Sequence, residues 1–111
     1  MYFYTSLKQA ALDIRNQGRQ AADDNQSNQR RVGKAKDIVK VIQAGGLLRA
    51  FGSVALVDLE GSNGETYALT LSDQGVCYCP CKDAEKGNLC KHRLALAAAV
   101  ILAVRDQGTV Q

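Results

Sequence analysis

The side chains best suited to chemistry in this chain are four cysteines and one histidine that lie close together. Every cysteine of the sequence, and its only histidine, falls between residues 77 and 92. They form the stretch Cys77-Tyr78-Cys79-Pro80-Cys81, then a polar loop, then Cys90-Lys91-His92. Thiolate and imidazole ligands in two pairs joined by a short loop are typical of a tetrahedral zinc site. The pattern therefore predicts one bound Zn²⁺.

Two ligand sets satisfy this spacing, and they differ only in the first pair. Residues i and i+2 of an extended segment point to the same side, so Cys77 with Cys79, or Cys79 with Cys81, can supply two sulfurs. On a regular helix, residues i and i+2 lie about 200° apart. Cys90 and His92 must therefore lie in the turn entering a helix, with His92 at or near its first position. Three cysteines and a histidine leave no open coordination position, which predicts a structural zinc.

Two other uses of these residues remain open. Two disulfides among four cysteines would require an oxidising compartment and would leave His92 without a role. A thiol catalyst built from Cys81 or Cys90 with His92 would need an orienting residue and an oxyanion site, and the sequence offers neither. We therefore expect no enzymatic activity.

Length and composition predict one small domain with a thin core. The chain has 111 residues, of which 46% are apolar and only 5% aromatic, with no tryptophan. A core of this kind gains from a structural metal. The first five residues lack the basic and apolar regions of a signal peptide, which predicts an intracellular protein in the cytoplasm or nucleus. Cysteines there bind metals more often than they form disulfides.

The hydrophobic periodicity predicts an α+β fold. An N-terminal helix is expected over 6–22. The polar, cap-rich stretch over 23–29 is a linker or a helix boundary and is expected to be mobile, so that residues 1–29 stand apart from a zinc-binding domain over 30–111. That domain begins with an amphipathic helix over 30–44, ended by Gly45-Gly46. A small antiparallel β-meander of two or three strands follows, and an apolar helix over 91–105 completes the fold. One structural zinc would hold this last helix against the sheet.

The C-terminal helix carries eleven consecutive apolar residues from Leu94 to Val104. This run is too short to span a membrane. A helix that is apolar on all sides must be covered on more than one side. Any part of residues 94–104 that the rest of the chain does not cover would form a contact with a second copy of the chain or with a partner.

The cysteine and histidine pattern resembles the SWIM-type zinc finger. Members of that family read C-x-C-P, then a polar loop, then C-K-H and an Ala/Leu-rich helix, as residues 77–80 and 90–97 do here. The resemblance covers residues 30–104 and includes the segment Gly64-Glu65-Thr66-Tyr67. Because Pro80 then follows the second ligand, the resemblance implies the set Cys77, Cys79, Cys90 and His92. It leaves Cys81 as the alternative ligand.

Two groups of basic residues are candidates for nucleic-acid contact. Residues 30–49 hold six basic residues against one acidic residue. Phosphates are commonly bound by Lys and Arg on a helix face, although a solvated face has the same composition. The candidates are Arg30, Arg31, Lys34, Lys36, Lys40, Lys82, Lys86, Lys91 and Arg93.

The resemblance implies two alternative functions. The first is a stand-alone accessory protein that binds DNA or docks onto a DNA-transaction complex of the transposition, recombination or helicase type. The second is a protein–protein interaction adaptor or inhibitor, encoded by a mobile element or virus, without direct nucleic-acid contact. The expected partner is therefore DNA or a nucleic-acid-processing protein, with no membrane contact.

Overall fold

The computed structural model of the chain describes residue 3, residues 5–61 and residues 64–108. It is a mixed fold of helices and one antiparallel sheet of four strands, which confirms the α+β class. The elements are α1 (Thr5–Asp24), α2 (Gln26–Gly45), β1 (Arg49–Phe51), β2 (Val54–Glu60), β3 (Thr66–Ser72), β4 (Cys77–Tyr78), α3 (Lys82–Glu85) and α4 (Lys91–Gly108).

The polar stretch over 23–29 forms the boundary between two helices, which is one of the two alternatives that the sequence left open. Only Asn25 separates α1 from α2. The Asn25 side chain caps α2 by accepting a hydrogen bond from the Asn28 N–H at 2.9 Å. The side-chain amides of Asn28 and Gln29 donate to carbonyls in the last turn of α1 at 2.9 and 3.0 Å. These amides satisfy helix-end groups that would otherwise need water, and a tight corner results.

The sheet is a meander in the order β1-β2-β3-β4, with one strand more than the sequence predicted. The additional strand is β1, which pairs with β2 through Phe51 opposite Val54. Gly52 and Ser53 form the two-residue connection, and Gly52 takes a φ of 59°. A two-residue loop with glycine at its first position is a β-hairpin signal, so this strand could have been found in the sequence.

The core lies between one face of the sheet and the three long helices. Alternate residues of β2 and β3 are buried on that face: Ala55, Val57, Leu59, Leu69 and Leu71. Helix α4 packs against α1, α2 and β3. Most of its apolar run is buried, and only Ala98, Ile101, Leu102 and Ala103 are partly exposed. The chain therefore covers most of this helix itself.

Helix α2 ends where the two glycines predicted. Gly46 has a left-handed conformation with φ 59°, and its N–H points at the carbonyls of Ile42 and Gln43. Within the described part of the chain, no helix combines the length and the apolar character that crossing a bilayer requires.

Candidate metal centre

Four ligand groups meet at the point where β4, α3 and α4 come together. The Sγ atoms of Cys79, Cys81 and Cys90 and a ring nitrogen of His92 all lie within 4.8 Å of one another. The Cys79 Sγ to His92 Nδ1 distance is 3.7 Å. With metal bonds of about 2.3 Å to sulfur and about 2.0–2.1 Å to nitrogen, tetrahedral geometry separates these two atoms by about 3.6 Å. The Cys₃His cluster therefore fits one zinc ion.

The structure assembles the alternative ligand set and leaves Cys77 outside it. Strand β4 ends at Tyr78, and Cys77 lies opposite the buried Leu71 on the helix-covered face of the sheet. The extended chain continues past the strand, because Cys81 has φ −70° and ψ 159°. Alternation along an extended segment was thus the correct principle, but it applies to Cys79 and Cys81. The resemblance implied Cys77 from the position of Pro80, whereas this cluster holds the alternative ligand Cys81 in its place.

Two of the sulfurs lie at the start of a helix. The Cys81 Sγ accepts a hydrogen bond from the Ala84 N–H at 3.4 Å, at the N-cap of α3. The Cys90 Sγ accepts one from the Arg93 N–H at 3.5 Å, just before α4 begins. At Cys90 the backbone donor and the partial positive charge of the α4 N-terminus both favour thiolate over thiol. His92 is the second residue of α4, as the spacing of the second ligand pair predicted.

The sulfurs are close enough to share protons. A hydrogen bond with Cys90 raises the pKa of the Cys79 thiol, and burial raises it further. The same hydrogen bond lowers the pKa of Cys90, against the effect of burial, and a hydrogen bond with His92 lowers it too. The protein groups alone therefore favour one thiolate at Cys90. A zinc ion would displace the proton of Cys79, so binding is coupled to proton release.

An aromatic ring holds the histidine in place. Tyr67 on β3 contacts the His92 ring edge to face, with centroids 5.4 Å apart and the planes at 62°. A side chain at Gly61 would collide with the Tyr67 ring, because a Cβ there would lie 2.7 Å from its nearest atom. The missing side chain at Gly61 thus gives Tyr67 the room to reach the metal centre.

A polar network anchors the loop between the two ligand pairs. Arg31 of α2 donates to the Asp83 carboxylate from two nitrogens, at 2.8 and 2.9 Å. The Asn88 side chain donates to the same carboxylate at 2.9 Å. Arg93 donates to the Asn88 carbonyl from its guanidinium group. Two of the basic candidates, Arg31 and Arg93, therefore hold the loop and are less available for phosphate.

Four basic residues border one cavity beside the metal centre, which we call the basic cleft. Its volume is about 290 Å³, and Arg30, Arg31, Lys34 and Lys91 line it together with Cys81, Cys90 and His92. Helix α2 thus contributes three basic residues, and the start of α4 contributes the fourth. The cleft unites members of both basic groups that the sequence singled out.

The remaining basic candidates lie outside the basic cleft. Lys36 is two positions from Lys34 on α2, and such positions face about 200° apart. It borders a different groove, beside α1. Lys40, Lys82 and Lys86 are exposed and do not line the basic cleft. The residues that sequence reasoning missed are Asp83 and Asn88, since only the fold shows that they face Arg31 and Arg93.

Residues 56–101 match the family described as SWIM zinc finger. The matched segment runs from β2 into α4 and contains all four members of the Cys₃His cluster. It supports a nucleic-acid-binding or protein-interaction module with a zinc ion. Comparison with curated proteins and comparison with solved structures each found no match.

Proposed function

We propose that the SWIM zinc finger formed by residues 56–101 makes this protein a non-catalytic accessory factor that binds DNA through the basic cleft. The zinc has a structural role, because four protein ligands leave no open position for a substrate. Its position between β4, α3 and α4 would hold the start of α4 against the end of the sheet. Such a factor would act in transposition, recombination or helicase-type processes, in the cytoplasm or nucleus.

The observation that carries this proposal is the charge inside the cleft. Arg30 and Lys34 come from one helix and Lys91 from another, so the cleft presents cations on two sides. Among the described residues that line it, Asp83 is the only acidic one, and Arg31 neutralises that group through two hydrogen bonds. The other three cations remain for an anionic ligand. Spaced cations around an opening suit the phosphate backbone of a nucleic acid.

A second cavity supports protein docking as the alternative function. It has a volume of about 610 Å³ and borders the other side of the metal centre. Apolar side chains contribute much of its wall: Ile38, Val41, Leu47, Leu59 and Tyr67. Val41 is 57% exposed there and adds to this apolar surface. A protein partner would cover this surface, whereas DNA would not.

Fluorescence anisotropy with a labelled DNA duplex, measured over a salt series, tests the DNA-binding function. We expect affinity to fall steeply with salt, because bound cations release counterions from DNA. Lys34→Glu should weaken binding and reduce the salt slope by about 1. Lys40→Glu is the matched control, since it makes the same charge change on the same helix outside the cleft. Absence of binding at low salt, or equal loss in both variants, would reject the cleft as a DNA site.

A further inference from the structure

A second basic groove lies between α1 and α2, on the side of α2 away from the basic cleft. We call it the α1–α2 groove. Its floor is apolar and consists of Val32, Ala35, Val39, Leu94 and Ala98. Three cations border it: Arg15 and Arg19 on α1, and Lys36 on α2. We propose that this groove binds an acidic peptide segment of a partner protein, with one apolar side chain on the floor and carboxylates at the rim.

The rim cations lack partners within the part of the chain that the structure describes. None of the three forms an ion pair there. Arg15 and Arg19 are also one helical turn apart, where like charges repel each other. This repulsion destabilises the isolated chain, and an anion that binds between the three groups would relieve it.

A buried atom points to the same kind of ligand. The Arg15 Nε is inaccessible to solvent and has no hydrogen-bond partner. A buried donor without a partner carries a desolvation penalty, and such donors are uncommon in native structures. If the Arg15 side chain turns outward to meet a carboxylate at the rim, this donor gains the acceptor that it lacks in the isolated chain. This observation is independent of the ion-pair argument, because it concerns one hydrogen-bond donor and its burial.

The size and lining of the groove favour a peptide over other anions. Its volume is about 180 Å³. An aliphatic cavity of about 150 Å³ has room for one benzene molecule, so the groove has room for one side chain of the size of leucine or phenylalanine. A long acyl chain would not fit. A phosphate backbone would contact the cations but would leave the apolar floor uncovered.

Nuclear magnetic resonance titration of the ¹⁵N-labelled, zinc-loaded protein tests this proposal. The probe is the N-acetylated, C-amidated tripeptide glutamate–leucine–glutamate. We expect shift changes centred on the backbone amides of Gly18, Lys36 and Ala98, with a dissociation constant of about 1 mM or lower. Two matched probes separate the contribution of the carboxylates from that of the leucine side chain. Glutamine in place of both glutamates should weaken binding by about threefold or more, and alanine in place of leucine by about tenfold.

Variants of the protein complete the test. Lys36→Glu should weaken binding of the glutamate–leucine–glutamate probe, whereas Lys40→Glu, one turn further along the same helix, should not. Ala98→Leu should fill the floor and remove the preference for leucine over alanine in the probe. If Ala98→Leu does not fold, Arg19→Glu replaces it, with the same loss of affinity expected as for Lys36→Glu.

Three results would overturn the proposal. The first is equal binding of the leucine and alanine probes, which would leave only a general anion site. The second is the absence of shifts around Gly18 and Lys36. The third is a DNA duplex that shifts the same amides at lower concentration than the peptide, which would make the groove part of a nucleic-acid surface. None of these results bears on the basic cleft, which shares no residue with the groove.

Discussion

Arg31 and Asp83 form a two-point ion pair between residues 52 positions apart in the chain. The Arg31 Nε lies 2.8 Å from Asp83 Oδ2, and its Nη2 lies 2.9 Å from Asp83 Oδ1. Hydrogen bonding between the groups raises the pKa of Arg31 and lowers the pKa of Asp83. Because Arg31 is on α2 and Asp83 lies between the two ligand pairs, the contact links the zinc-binding loop to the helical part of the fold.

This pair should couple measurably in a double-mutant cycle. The variants Arg31→Ala, Asp83→Ala and their combination would be unfolded with denaturant in the zinc-loaded state. We expect a coupling free energy of about 1 kcal/mol, since the pair is partly exposed and solvent screens it. Arg31→Lys should lose most of this coupling, because an ammonium group cannot make both contacts at once. Purely additive effects of the two alanine substitutions would show that the pair does not stabilise the loop.

The identity of the zinc ligands can be decided by two serine substitutions. Cys81→Ser removes a sulfur of the Cys₃His cluster and should lower zinc occupancy and destabilise the C-terminal half of the chain. Cys77→Ser should retain about one zinc per chain, because Cys77 lies outside the cluster. Native mass spectrometry counts the bound zinc directly. The reverse result would restore Cys77 as the ligand and reject the arrangement described above.

Removal of the metal should have a large effect on this small domain. Structural zinc contributes roughly 10–16 kcal/mol of binding free energy in small zinc-binding peptides. We expect a chelator to abolish the near-ultraviolet circular dichroism signal contributed by Tyr67, which packs on His92. Helix content should fall less, since α1 and α2 also pack on each other and on α4. A chain that holds no zinc and retains the full signal would contradict a structural role.

The sequence predicted the chemistry of the metal site more completely than its exact geometry. Spacing alone placed Cys90 and His92 at the entrance to a helix, because i and i+2 diverge on a regular helix. The choice between Cys77 and Cys81 depended on where β4 ends, and two consecutive extended pairs look alike in sequence. Strand ends depend on pairing with the neighbouring strand, which local residue types do not specify.

In the helices, too, some features could be predicted from the sequence and others could not. The apolar positions of α2 were predictable, since Ala35, Val39 and Ile42 repeat at helical spacing and are buried. At Asn25 the composition left a linker and a helix boundary both open, because the side-chain amides there stabilise a helix end that exists only after α1 has formed. The basic residues of α2 were likewise predictable only in part. Their charge was evident, but which of them face the metal centre depends on how α2 packs against α4.

The thiol of Cys77 should be unreactive at neutral pH despite its partial exposure. Burial raises the pKa of Cys77 to about 12, Arg93 opposes this, and the nearby Cys90 adds to it. The reactive form is the thiolate, so alkylation should be slow at pH 7 and should rise about tenfold per pH unit well beyond pH 9. An ordinary thiol reaches its maximum near that pH. Peptide mapping of the alkylated, zinc-loaded protein measures the rate, with Cys77→Ser as the blank. A plateau in the alkylation rate by pH 9 would mean that burial does not raise the pKa of Cys77.

Gly18 and Gly33 provide a matched test of helix packing. Both lie inside long helices, where replacing glycine with alanine ordinarily stabilises a protein by about 1 kcal/mol. A Cβ at Gly33 would meet no atom within 4 Å, so Gly33→Ala should show this full gain in denaturant unfolding. A Cβ at Gly18 would lie 2.5 Å from the Leu94 Cδ2, so Gly18→Ala must displace a side chain that is 9% exposed. We expect Gly18→Ala to be neutral or destabilising, because strain in the core offsets the helical gain. Equal stabilisation by both substitutions would show that α1 and α4 do not need a glycine for their close approach.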